Sequence, residues 1–113
     1  LVRKLFQETI VQNRGKSKEV KRQLRKLVPN ITMDEFLAIE EIADAGHLRH
    51  LPPSIRAWQA ITTRARHAHT DYDDLLHDGY DKDAARHFVL ADINEKLAEW
   101  GCTQMLSEED DTT

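Results

Sequence analysis

This sequence has a single cysteine, no hydrophobic run that approaches the roughly 18 residues of a bilayer span, and no alternating stretch bounded by turn residues. Cys102 alone cannot form an internal disulfide, so a reducing, cytoplasmic setting is expected. The lack of a long apolar run excludes a transmembrane helix, and no membrane partner is expected. Without period-two alternation there is nothing to build a sheet from. The chain also lacks a CxxC pair, an HExxH motif and any convincing nucleophile: Ser54 reads as a helix cap, Ser107 lies in the tail, and Cys102 sits in an ordinary context near a helix end. No cofactor is expected. The opening LVRKLFQETI is too short and too interrupted by charge for a secretory signal, and the missing initiator methionine points to a chain that was processed or belongs to a longer one.

What is present is charge on an apolar framework. The 113 residues are 40% hydrophobic and 32% charged, which suits one soluble domain that buries about two-thirds of the surface of its unfolded chain. The net charge of −4 hides an asymmetry. Residues 1–30 carry nine Lys or Arg against two Glu, a balance of +7, while the rest carry seven basic against eighteen acidic groups, a balance of −11. A basic segment ahead of an acidic one is a reason to look for a polyanionic partner; the plainer reading is a solvated face that pairs with the acidic remainder.

Helical periodicity runs nearly throughout. Val2, Leu5, Phe6 and Ile10 recur at three- and four-residue steps, then Val20, Leu24, Leu27 and Val28 do so after a plausible Ser17 cap, with Pro29 as the stop. Gly15 between them is either a break or a weak spot in one long helix. In ITMDEF at 31–36, Thr32 and Glu35 have capping-box spacing, with Ile31 and Phe36 placed as a staple. Phe36, Ile39, Ile42 and Ala43 make the buried stripe that follows, with Gly46 as a left-handed stop. Ser54 or Pro53 opens a third helix carrying Ile55, Trp58, Ile61, Thr62, Ala65 and Ala68 along one side. Thr70 and Asp73 suggest a short helix with Leu75 and Leu76, ended by Gly79; Asp81 caps the last helix, whose stripe is Ala85, Phe88, Val89, Ile93, Leu97 and Trp100, with Gly101 as its stop. The expected fold is therefore all-α, a compact bundle of four to six helices. It forms a single domain over 1–103, with 1–30 a basic helical segment, 31–103 an acidic core and 104–113 a disordered acidic tail.

Chemically capable side chains are densest in RHAHTDYDDLLHDGYDKDAARH at 66–87. His67 and Asp71, four residues apart, would share a helical face as metal ligands or as a tuned base, and a bend at Thr70 would bring in His69. The same residues also suit two helix ends. His67 and His69 fall in a last turn, where a cationic imidazole is favoured, and Asp71 and Asp73 fall in a first turn, where anions are. Tyr72, Tyr80, Trp58 and Trp100 read as core or junction residues.

Three stretches carry a family likeness: LRKLVPNITMDEFLAIEEIA at 24–43, RHAHTDYDDLLHDGYDKDAARHFV at 66–89, and INEKLAEW at 93–100. Together they resemble a poorly characterised helical domain family of bacterial and fungal proteins, over roughly residues 20–100. The TDYDDLL core and the AAR triplet after it are the most specific part. The resemblance implies an all-helical domain and carries over no activity, substrate, cofactor or catalytic residue.

For function, Lys18, Lys21, Arg22, Arg25 and Lys26 on one helix point to phosphate tracking on DNA or RNA, with Arg49, Arg56, Arg64 and Arg66 adding positive charge further on. The expected function is a non-enzymatic accessory or interaction module that binds nucleic acid through the basic helix. A protein partner in a larger assembly is the alternative, and a metal-dependent enzyme built on His67, His69 and Asp71 is a third reading.

Overall fold

A computed structural model of the chain describes residues 2–109, with side chains described from residue 15 onward. Among the described residues there are five α-helices and no strand: α1 (Val2–Leu27), α2 (Met33–Ala43), α3 (Pro53–His69), α4 (Tyr72–His77) and α5 (Lys82–Glu99), with a 3-10 turn at Gly46–Leu48. α3 is the centre of the bundle and packs against each of the other four helices.

α1 passes through Gly15 without a break, and Ser17 is inside the helix rather than a cap. A single glycine costs a helix about 1 kcal/mol relative to alanine, too little to break a helix with favourable residues on both sides. The stripe of Val2, Leu5, Phe6 and Ile10 lies outside the residues whose side chains are described. Beyond it, Val20, Leu24 and Val28 are buried, and Leu27 packs at the edge of the core.

α2 begins as the capping motif predicts at Thr32, whose hydroxyl accepts from the Glu35 amide at 3.3 Å. The other half of the box does not form, because the Glu35 carboxylate turns away to α3. Nor is Gly46 a left-handed stop. α2 ends at Asp44, whose amide bonds to the Glu40 carbonyl; Ala45 is extended, and Gly46 then opens the 3-10 turn without a positive φ, so nothing special is asked of a glycine there.

The buried face of α3 is rotated from the expected stripe. Ala57, Ala60, Ile61, Thr62 and Ala65 are buried as a helix enclosed on several sides requires, but so are Arg56 and Arg66, whereas Ile55 and Ala68 are exposed. The alanines leave room for neighbouring backbones. Arg56 is buried with its polar end engaged: it donates to the Ala43 carbonyl at 2.6 Å and to Asp44 Oδ1 at 2.8 Å, which ties the end of α2 to the start of α3.

Gly79 and Gly101 are the two glycines with positive φ, at 100° and 81°, and both stop a helix as their positions predict. Asp81 caps α5 by accepting from the Ala84 amide at 2.8 Å. On α5, Ala85, Val89, Ile93 and Leu97 are buried, with Trp100 just past its end. Phe88 is not: it is 60% exposed, edge-on to the Tyr80 ring at 5.7 Å. The buried sector of α5 is already filled by the other four, and Phe88 falls outside it. The packed chain also continues past residue 103. Leu106 is buried, and Asn94 clasps it by donating to its carbonyl at 2.9 Å and accepting from its amide at 2.7 Å. The burial of Leu106 and this clasp are what draw the segment back onto the bundle.

Candidate functional site

Two regions carry the chemistry that the sequence singled out: the exposed face of α1 and the junction between α3 and α4. On α1, successive residues turn by 100°, so Lys18, Lys21, Arg22, Arg25 and Lys26 fall within one sector, opposite the sector of Val20, Leu24 and Leu27. Lys18, Arg22, Arg25 and Lys26 are exposed, and Lys21 is half-buried. Part of this charge is answered within the fold, since Lys21 lies 3.9 Å from Glu40 and Arg22 lies 3.3 Å from Glu19. Arg25 lays its guanidinium over the Phe36 ring of α2, 5.5 Å from the centroid.

The arginines beyond α1 do not extend this face. Arg49 donates to the Asp44 carbonyl, Arg56 to Ala43 and Asp44, and Arg64 to Glu35. Arg66 is buried with its guanidinium 5.6 Å from the Tyr72 ring. Arg56, Arg64 and Arg66 join neighbouring helices, which periodicity alone does not reveal.

At the α3–α4 junction the histidines separate. His67 Nδ1 meets Asp73 at 2.6 Å on an exposed edge, while His69 Nε2 meets Glu35 at 2.8 Å on the other side of the helix. Asp71 is exposed and joins neither contact. His67, His69 and Asp71 are thus not brought to one point, and among the described residues no group of three His, Cys, Asp or Glu converges as metal ligands would. Thr70 stitches the two helices. Its hydroxyl donates to the Arg66 carbonyl and accepts from the Tyr72 amide at 3.2 Å. Tyr72 is buried beneath it, edge-on to His67.

The cluster that local spacing misses is Glu35 with Arg64 and His69. Arg64 donates from Nε to one carboxylate oxygen at 2.8 Å and from Nη2 to the other at 3.4 Å. That hydrogen bond holds the Glu35 carboxyl below its ordinary value against partial burial, which pulls the other way, and His69 adds to the lowering. The same pairing raises Arg64 above its ordinary value. A carboxylate engaged in this way by a guanidinium is a strut and not a poised base. Its partners lie 29 and 34 residues away, beyond the reach of any local motif.

With these elements in place, the comparison with known families is decisive over residues 23–101, which match the family described as an uncharacterized conserved protein (DUF2293). The chain belongs to DUF2293. The match spans the stretches at 24–43, 66–89 and 93–100, so it includes the C-terminal end of α1 from residue 23, the Thr70 junction and all of α5. No curated protein and no solved structure matches the chain. Membership in DUF2293 therefore places the domain in a family and leaves its chemistry to be argued from its own surface. Among the described residues of this DUF2293 domain, no helix is long and apolar enough to cross a membrane.

Proposed function

We propose that this domain is a non-enzymatic accessory module that binds nucleic acid through the exposed face of α1. The observation that carries this reading is the separation of roles among the cations. Arg56 and Arg64 are drawn into contacts between helices, while Lys18, Arg22, Arg25 and Lys26 are exposed on one sector of a helix otherwise packed against α2 and α3, with Arg22 beside Glu19 and Arg25 over Phe36. A row of cations along a straight helix suits a phosphate backbone, and the acidic remainder of the domain limits contact to that face. The single thiol fits a reducing, cytoplasmic setting.

The test is a salt-dependent binding titration with single- and double-stranded DNA and RNA. Binding should weaken steeply with salt, and reversing Lys18, Arg22 and Lys26 to Glu should abolish it while the helical signal and melting temperature stay near those of the parent protein. Unchanged affinity in that variant would remove α1 from the interface.

A second reading has its own observation. The outer side of α5 and the segment after it form an open, mainly apolar groove of about 550 Å³, lined by Leu90, Ala91, Ala98, Cys102 and Met105, with Glu95 at its wall. Such a groove suits a basic amphipathic helix of a protein partner in a larger assembly. Leu90→Glu should abolish capture of that partner and leave nucleic-acid binding intact.

A further inference from the structure

The basic face of α1 ends at a cleft. Where α1 gives way to α2, Arg25, Pro29, Ile31, Met33 and Phe36 line an opening of about 370 Å³, at the lower end of the roughly 300–1,000 Å³ of small-ligand pockets. Its walls are a flat ring, a guanidinium, apolar side chains and Thr32. The Arg25 guanidinium lies over the Phe36 ring, and Met33 is 68% exposed at the mouth. Phe36 is half-buried and packed on the core, so its ring is held in place, and Ile31 and Pro29 belong to the short connection between the helices.

Arg25 belongs to both features. It is one of the exposed cations of α1 and also a wall of the cleft. A nucleic-acid strand that follows the α1 cations therefore reaches a place where a flat aromatic group can lie on the outer side of a guanidinium that is backed by a phenyl ring. We infer that this cleft receives one unstacked base of a single-stranded nucleic acid whose backbone runs along Lys18, Arg22 and Lys26. This inference rests on the nucleic-acid reading of α1 and narrows it to strands with unpaired bases.

Bases in a duplex are stacked on both faces and cannot enter a cleft of this kind without being extruded. In a single strand or a loop the faces are available, and stacking on aromatic rings and arginine planes is how such bases are held. Asp34, next in the chain to Met33 of the cleft mouth, is exposed in the first turn of α2 and carries a negative charge. A phosphate beside it would be repelled, so the backbone stays on the α1 side and only the uncharged base turns inward.

The experiment compares single-stranded RNA, single-stranded DNA and their duplexes of equal length. A fluorescent 2-aminopurine is placed within the single strands to report stacking. Single strands should bind about tenfold more tightly than duplexes, with the fluorescence quenched on binding. Phe36→Leu keeps an apolar side chain against the core and should remove both the quenching and the single-strand advantage, leaving the salt dependence in place. Met33→Ala, at an exposed position, should weaken single-strand binding in the same direction and serves as a check that folding is not responsible. If single strands and duplexes bind alike and only reversal of Lys18, Arg22 and Lys26 weakens them, the basic face stands and the base cleft is overturned. If no nucleic acid binds at low salt, both readings fall.

Discussion

Glu35 and Arg64 sit 29 residues apart in the chain and 2.8 Å apart in the fold, a carboxylate on the first turn of α2 held by a guanidinium in the middle of α3. Glu35→Gln should cost about 1–2 kcal/mol by calorimetry or chemical denaturation, because it removes the negative charge and one of the two acceptor oxygens that Arg64 and His69 share. The penalty should depend on pH. Folding holds this carboxyl below its unfolded value, so its contribution is complete above the ordinary carboxylate range and is lost as the pH falls through the lowered folded value. The stability curves of the parent and Glu35→Gln should therefore converge in acid. Curves that stay parallel would mean that the carboxylate contributes nothing through its charge.

Thr70→Ala should lower stability by about 1 kcal/mol, since one hydroxyl serves both the last turn of α3 and the first amide of α4. Thr70→Ser should recover most of the loss. His67→Ala, by contrast, should leave the melting temperature nearly unchanged, because its ion pair with Asp73 is exposed on both sides. A large loss from His67→Ala would show the junction to be organised around the imidazole.

Two glycines should respond in opposite directions to alanine. Gly15 is helical and a Cβ there meets nothing within 4 Å, so Gly15→Ala should stabilise α1 by up to about 1 kcal/mol. Gly101 has φ of 81°, and a Cβ there would lie 2.8 Å from Asn30 Nδ2 and 3.0 Å from Pro29 Cγ. Gly101→Ala should cost more than 1 kcal/mol, roughly, from backbone strain and from this contact with the connection between α1 and α2. Thermal melts of the two variants should shift in opposite directions.

Leu106→Ala should destabilise the domain by about 2–4 kcal/mol, as for other buried leucines. Asn94→Ala should be damaging for a different reason, because it leaves the Leu106 amide and carbonyl without their clasp. If both variants melt like the parent, the segment after α5 is not part of the folded unit.

The architecture was legible where the signals were local. The Thr32 cap, the Asp81 cap, the stops at Gly79 and Gly101, and the buried spacing of Val89, Ile93 and Leu97 all follow from patterns within a few residues, and the structure has each of them. What could not be read depends on contacts between distant parts. Glu35 has capping-box spacing and yet spends its carboxylate on Arg64, because a charged partner across the interface outcompetes a backbone amide open to water. Arg56 looked like surface charge, and it is buried because the end of α2 offers a carbonyl and a carboxylate to receive it. For the candidate site, the sector of cations on α1 was visible in the sequence. The cleft beside it was not, since Arg25 and Phe36 meet only once the two helices fold against each other.

The position of α3 has a consequence for how the domain comes apart. A helix packed against all four others, with alanines at its closest approaches, has no side from which it can be peeled while the rest stays assembled. Opening its backbone to solvent requires the whole bundle to open. The amides of Ala57 to Ala65 should therefore be among the slowest in the chain to exchange for deuterium, all with one common opening free energy, so that a probe placed anywhere along that segment reports the stability of the entire fold.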